Sequence, residues 1–195
     1  MIARLVGSEM CIRDRSGAGL SFADFNNDGL DDISIPPNGE KSIFFFKNDG
    51  TKLISQNFNI SYPYQVKQIL WIDYDNDNDK DLYLTSFNGK NKLFENDGFF
   101  YFNDVTNSLN LPDSLSNSFG SSWADINNDG YIDLLQTYRT SDTLSNTIKI
   151  FLSDSALSFH EITSTTNISE LSKLPFCASF VDIDNNNLLD LFIFI

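Results

Sequence analysis

The stretch Asp125-Ile-Asn-Asn-Asp-Gly-Tyr-Ile-Asp133 decides how this chain of 195 residues folds. If Asp125 is counted as position 1, oxygen-bearing side chains occupy positions 1, 3, 5 and 9. Gly130 stands at position 6, where a chain that folds back around an ion needs a positive φ angle. Strand-like sequence precedes the stretch at Trp123 and follows it at Leu134-Leu135. The pattern is therefore typical of an acidic loop between two β-strands.

The same pattern occurs four times along the chain. We number the copies loop 1 (residues 24–32), loop 2 (73–81), loop 3 (125–133) and loop 4 (182–190), and their first residues are 49, 52 and 57 residues apart. A period near fifty residues in strand-like sequence is typical of propeller blades or stacked β modules and not of helical arrays. Turn signals divide each unit into about four short strands. The sequence therefore predicts an all-β fold, a β-propeller fragment of about three and a half four-stranded blades with Asp-rich calcium loops, in units of about 16–62, 63–112, 113–169 and 170–195.

The repeat extends beyond the acidic loops. Residues 93–111 align without a gap to residues 150–168 at an offset of 57, so that Phe94 meets Phe151 and Phe102 meets Phe159. Within the second unit, the turn signal Asn96-Asp97-Gly98 predicts that the next strand covers residues 99–106. Each repeat is therefore a complete structural unit.

The charge of the chain is concentrated in the loops. The formal net charge is −14, and 15 of the 27 acidic residues lie in the four loops. Such a chain repels the phosphates of nucleic acids and an anionic membrane surface, so that we expect no nucleic-acid partner. We also expect no membrane insertion, because no segment reaches the roughly 18 apolar residues of a membrane span. Hard cations are the partners that this charge distribution favours.

The ligand types in the loops favour calcium. Ca²⁺ takes six to eight oxygen ligands, whereas softer metals prefer Cys or His, which no loop contains. Mg²⁺ stays an alternative, although it requires a small octahedral shell and keeps its waters. Polar turns without a metal would explain one such loop, but not oxygen side chains at positions 1, 3, 5 and 9 in all four.

An EF-hand begins in the same way but needs a bidentate Glu at position 12 and flanking helices. Position 12 is instead Ile35, Leu84, Gln136 or Ile193, so that position 9 must supply the closing carboxylate. We predict up to four calcium ions, one per loop. The predicted metal-site residues, at positions 1, 3, 5, 7 and 9, are Asp24, Asn26, Asp28, Leu30 and Asp32; Asp73, Asp75, Asp77, Asp79 and Asp81; Asp125, Asn127, Asp129, Tyr131 and Asp133; and Asp182, Asp184, Asn186, Leu188 and Asp190.

These motifs give the chain a family resemblance. Phe119-Gly120 followed by residues 123–133 resembles the Phe-Gly and Asp-x-Asn-x-Asp-Gly-x-x-Asp pattern of FG-GAP/VCBS repeats, found in integrin-type β-propellers and in many secreted bacterial proteins. Residues 94–98 leading to residues 102–106 are similar to the second half of the bacterial repeats. The resemblance covers the chain from Ser16 onward. It implies seven blades, calcium in the loops between the first two strands, and a protein or glycan ligand on another surface.

The resemblance predicts a non-catalytic, calcium-binding repeat region that acts in extracellular or cell-surface adhesion or ligand binding. The alternative is the propeller portion of a secreted polysaccharide lyase or hydrolase whose catalytic residues lie outside this sequence. The single histidine, His160, aligns with Asn103, and we expect it to be an ordinary surface residue of a strand. No nucleophile elbow, phosphate loop or zinc motif occurs in the sequence.

Residues 1–15 share nothing with the repeats and resemble translated adapter sequence. We expect this stretch to be artefactual or disordered. Since the last unit ends within a blade, we also expect the chain to be part of a longer protein whose remaining blades are its partners.

Overall fold

The structure is a computed structural model, which describes residues 19–36, 42–112, 117–138, 147–166, 168 and 177–194. The described residues form fourteen β-strands and one short 3-10 helix, Thr163–Thr165. Sheet 1 contains β1 (Ser21–Ala23), β2 (Asp32–Ile35), β3 (Phe44–Asn48) and β4 (Leu53–Gln56); sheet 2 contains β5 (Gln65–Ile72), β6 (Asp81–Phe87), β7 (Lys92–Asn96) and β8 (Phe102–Asp104); sheet 3 contains β9 (Ser118–Ala124), β10 (Asp133–Tyr138), β11 (Thr147–Ser153) and β12 (Phe159–Glu161); and sheet 4 contains β13 (Cys177–Val181) and β14 (Asp190–Phe194).

Each sheet is an antiparallel meander in which strands pair in chain order. Three sheets have four strands and the last has two, which confirms the predicted all-β fold of propeller-like blades. One strand is shorter than predicted. The strand expected over residues 99–106 begins only at Phe102, because Phe100 adopts a φ of 63° and the Asp97 carboxylate accepts the amides of Phe99 and Tyr101. These contacts extend the hairpin turn by three residues.

Equivalent contacts in sheets 2 and 3 confirm the internal alignment. The ion pair Lys92–Asp104 (2.9 Å) of sheet 2 has its counterpart 57 residues later in Lys149–Glu161 (2.8 Å) of sheet 3. In the same way, the Leu93 amide donates to the Thr106 hydroxyl (3.0 Å), and the Ile150 amide donates to the Thr163 hydroxyl (3.1 Å). His160 lies exposed on β12 between Phe159 and Glu161, as expected for a surface residue of a strand. The two units therefore share a fold in detail.

The core lies between successive sheets. Apolar side chains of neighbouring sheets interleave in three clusters, because inner strands such as β6 and β10 bury side chains on both faces of their sheets. Between sheets 1 and 2 the buried cluster is Phe45, Tyr62, Val66, Ile69, Leu82, Leu84, Phe94 and Phe102; between sheets 2 and 3 it is Tyr74, Tyr83, Leu93, Leu109, Leu111, Leu134, Phe151 and Phe159; and between sheets 3 and 4 it is Leu135, Ile148, Ile150 and Ala178.

Polar contacts fix the same stacking near the first strands. The Gln68 amide group of β5 donates to the Ser121 carbonyl of β9 (3.2 Å) and accepts the Ser121 amide (2.7 Å). The Trp71 indole of β5 donates to the Ser34 hydroxyl of β2 (2.9 Å). The first strands β5 and β9 therefore lie side by side, and β5 also contacts the second strand of sheet 1.

Residues 1–15, the stretch expected to be unrelated to the repeats, lie outside the described residues. Within the described ranges, no helix has the length and hydrophobicity needed to cross a membrane.

We expect Leu84→Ala to lower the free energy of unfolding by about 2–5 kcal/mol, because it leaves a cavity between sheets 1 and 2. Leu84 is fully buried there. Leu157→Ala is the control, since Leu157 is 77% exposed and its loss leaves no cavity. Urea denaturation of both variants measures the difference. Equal effects of the two changes would contradict packing between the sheets.

Candidate metal sites

The four acidic loops join the first strand of each sheet to the second and share one backbone shape. Position 6 has a positive φ in every loop, which confirms the conformation predicted from Gly130. The values are 86° at Gly29, 72° at Asn78, 91° at Gly130 and 66° at Asn187.

Position 4 also has a positive φ, and our sequence analysis missed it. The residues are Asn27 (58°), Asn76 (64°), Asn128 (58°) and Asn185 (60°). The signal was present in the sequence, because all four are Asn, the side chain that best tolerates the left-handed region after Gly. Two left-handed residues in each loop turn the chain back twice and point several loop carboxylates inward.

The position 9 carboxylate closes each loop against its sheet. Asp133 is fully buried; its Oδ2 accepts the Ile126 amide (3.0 Å) and its Oδ1 accepts the amide of Ser153, the last residue of β11 (2.8 Å). Asp32 and Asp81 make the equivalent pairs of bonds in loops 1 and 2. Position 9 thus holds the loop to the third strand, in addition to its predicted role as a ligand.

The position 1 carboxylate organises loops 1, 3 and 4. In loop 3 the two Asp125 oxygens accept the amides of Asp129 (3.1 Å) and Gly130 (2.8 Å). The same two bonds occur from Asp24 in loop 1 and from Asp182 in loop 4. These loops are therefore ordered partly by their own backbone amides.

Carboxylates converge most closely in loops 2 and 4. In loop 2, oxygens of Asp73, Asp75 and Asp81 all lie within 4.8 Å of one another, and the same holds in loop 4 for Asp182, Asp184 and Asp190. In loop 2 the Oδ1 atoms of Asp73 and Asp79 are buried and have no hydrogen-bond partner. Such buried, unpaired oxygens need a cation or a proton.

Crowding and burial raise the pKa of carboxyls in loop 2. Burial, reinforced by the charges of Asp77 and Asp75, raises the pKa of Asp79 to about 6. Burial raises the pKa of Asp81 to about 8, although two backbone amides favour its ionised form. Burial also raises the pKa of Asp32 and of Asp133 in loops 1 and 3. The loops therefore hold negative charge at an energetic cost that a bound cation would remove.

The donor set fits a hard cation. Each loop presents side-chain oxygens at positions 1, 3, 5 and 9, and position 7 offers a backbone carbonyl from Leu30, Asp79, Tyr131 or Leu188. At position 3, Asn26 and Asn127 supply amide oxygens in loops 1 and 3, where loops 2 and 4 have Asp75 and Asp184. In loop 1 the Oδ1 of Asn26 is buried without a partner. These oxygens are the type of ligand that a hard cation prefers.

The loops are also linked to one another, which the sequence analysis did not anticipate. The Asn27 side chain donates to the carbonyl of Asn78 in loop 2 (2.7 Å), and the Asn76 side chain donates to the carbonyl of Gly130 in loop 3 (2.8 Å). In both links, position 4 of one loop contacts position 6 of the next. Loops 1, 2 and 3 therefore form a hydrogen-bonded row along one end of the sheets.

We expect Asn76→Gly to lower the free energy of unfolding by about 1 kcal/mol more than Asn128→Gly does. Glycine accepts the positive φ at both positions, but only Asn76 has a described bond to the next loop. Urea denaturation compares the two variants. Equal losses of stability would show that the link between loops 2 and 3 contributes nothing.

The ion-free protein is expected to become less stable as pH rises from about 4 to 8. Asp79 and Asp81 have pKa values of about 6 and 8 in the folded protein, well above the unfolded value of roughly 3.9. The folded state therefore binds more protons across this window, so that stability falls as these groups ionise. The lowered pKa values of Asp28 and Asp104 act below this window. Thermal melting in chelator at pH 5.5 and pH 8 is the measurement, and a higher Tm at pH 8 would contradict it.

Comparison with known proteins gives one family match. A family model described as an FG-GAP-like repeat matches residues 24–84 and again residues 73–135. Together the two matches cover residues 24–135, which is 112 of the 195 residues. Each match begins at position 1 of a loop, and it runs through one sheet into the second strand of the next. No curated protein matches the chain.

Proposed function

This chain belongs to the FG-GAP-like repeat family, and from that premise we propose that it is a non-catalytic, calcium-binding region of a β-propeller. The protein is located outside the cytoplasm in this proposal, in the extracellular space or at the cell surface. There it acts in adhesion or in binding a protein or glycan. The four loops hold calcium and stiffen the blades, and the ligand binds on another surface of the sheets.

The convergence of carboxylates in loop 2 carries the calcium part of this proposal. Asp73, Asp75 and Asp81 bring oxygens within 4.8 Å of one another, and Asp73 keeps a buried oxygen without a hydrogen-bond partner. A turn that served only to reverse the chain would direct these oxygens to solvent or to amides. Asp73, Asp75, Asp77, the Asp79 carbonyl and Asp81 would hold the ion. When bound, it supplies positive charge that offsets their mutual repulsion.

A structural role for calcium follows from the position of the loops. Loop 2 lies between β5 and β6, and its Asn76 side chain bonds the backbone of loop 3. Ordering one loop therefore fixes strands in its own sheet and a contact to the next sheet. A rigid scaffold of this kind suits recognition of a protein or glycan better than chemistry, because it positions surface loops without requiring motion.

We expect calcium to raise the melting temperature of the protein and chelator to lower it. A site whose Kd lies a hundredfold below the calcium concentration adds roughly 2.7 kcal/mol to stability. Asp75→Asn keeps the Oδ1 that accepts the Asp77 amide but removes one converging charge. It should raise the Tm in chelator and reduce the shift that calcium produces. Thermal melting with calcium, magnesium and chelator is the measurement.

The matched control is Asp31→Asn, which makes the same change of charge at an exposed residue of loop 1 outside the predicted ligand positions. The calcium shift of this variant should equal that of the wild type. A wild-type Tm that chelator leaves unchanged would overturn the proposal, because the loops would then be turns and not metal sites.

A further inference from the structure

The third strand of each complete sheet places one side chain beside the acidic loop. The last residue of that strand, Asn48, Asn96 or Ser153, donates its amide to the position 9 carboxylate at 2.7, 3.0 and 2.8 Å. The side chains of Asn48 and Asn96 each also donate to the position 8 carbonyl of their loop (3.2 Å). The residue before this donor is therefore held at a fixed place in each blade. The three equivalent residues are Lys47, Glu95 and Leu152.

In loop 1 this residue is a cation. Lys47 Nζ lies 3.0 Å from Asp28 Oδ2, at position 5 of the loop. The ammonium group also holds the pKa of Asp28 below its usual range. Asp28 Oδ1 accepts the Leu30 amide, so that both oxygens of this predicted ligand are occupied. A metal ion that binds Asp28 therefore competes with the positive charge of Lys47 for this carboxylate.

In loop 2 the equivalent residue is an acid. Glu95 precedes Asn96, whose amide and side chain bond loop 2 as those of Asn48 bond loop 1. Glu95 is half-buried and stands one residue before the amide that bonds Asp81 at 3.0 Å, the place that Lys47 occupies beside loop 1. Burial, and after it the charges of Asp75 and Asp77, raise the pKa of its carboxyl. Loop 2 thus gains a further negative group where loop 1 has a positive one. In loop 3 the uncharged Leu152 stands at this place.

We propose that the penultimate residue of the third strand sets the calcium affinity of the loop beside it, with Lys47 acting as a tethered cation in loop 1 and Glu95 as an added carboxylate in loop 2. The inference rests on the proposed calcium function and adds a ranking to it. Loop 2 binds calcium most tightly of the first three, loop 3 follows, and loop 1 binds most weakly. A single side chain in each of the three complete sheets therefore divides three similar loops into sites that fill at different calcium concentrations.

The test is a calcium titration of the ¹⁵N-labelled protein followed by NMR. The amides at position 6, those of Gly29, Asn78 and Gly130, report loops 1, 2 and 3 separately. We expect Lys47→Gln to lower the calcium Kd of loop 1 about fivefold or more, and Glu95→Gln to raise that of loop 2 by a similar factor. The Kd of loop 3 should stay within about twofold in both variants, because the lost charge belongs to another sheet and is largely screened by salt.

Two control variants make the same charge changes away from the loops. Lys149→Gln removes a cation from β11, and Glu161→Gln removes its partner acid from β12, both in sheet 3. Neither should alter the Kd of loop 1 or loop 2. If a control shifted these constants as much as its partner variant, net charge and not position would be the cause, and the proposal would fail.

Melting in chelator gives a second readout that separates metal affinity from a purely structural ion pair. Lys47→Gln should lower the Tm in chelator and enlarge the calcium shift, whereas Glu95→Gln should raise the Tm in chelator and reduce the shift. A loss of Tm from Lys47→Gln that is equal with and without calcium would overturn the role of Lys47. Amides that respond to calcium with Kd values insensitive to both substitutions would overturn this inference alone. Amides that do not respond at all would overturn it together with the proposed function.

Discussion

The fold depends on a buried carboxylate that bonds two parts of each four-stranded sheet at once. In loop 3, Asp133 accepts one amide from its own loop and another from the end of β11, and Asp32 and Asp81 do the same in loops 1 and 2. Burial disfavours the charge, whereas hydrogen bonds from two amides stabilise it. The result is a loop that cannot move away from its sheet without leaving one amide unpaired and removing a hydrogen bond from a buried carboxylate, a costly arrangement in a protein interior.

From this fixed loop, contacts extend to the neighbouring blade. The apolar clusters between sheets supply the larger part of the stacking energy, since side chains such as Leu84 and Leu134 are removed from water completely. The hydrogen bonds from Asn27 to Asn78 and from Asn76 to Gly130 fix how neighbouring sheets align, because a bond from position 4 to position 6 forms only when adjacent loops are in register. Apolar packing and hydrogen bonds between the loops therefore stabilise the same interface between neighbouring sheets.

In the acidic loops, repulsion between carboxylates opposes folding when no cation is bound. Loop 2 has five Asp residues in nine positions, and its carboxyls carry the largest upward pKa shifts among those of the loops. The repeats thus combine a backbone that is well ordered by hydrogen bonds with side chains that repel one another. A bound cation would offset this repulsion.

The sequence by itself determined the period, the four loops, the β class of the units and the positive φ at position 6, because these follow from local spacing and from residues such as Gly130 that tolerate few alternatives. The four Asn residues at position 4 were also visible, although their conformation was not deduced. Only the tertiary structure decided that Asp133 reaches β11, that Asn76 reaches Gly130 and that Lys47 stands beside Asp28. Each of these contacts joins residues separated by 19 or more positions in the chain. Their distances depend on strand register and on the stacking of sheets, which local pattern does not encode.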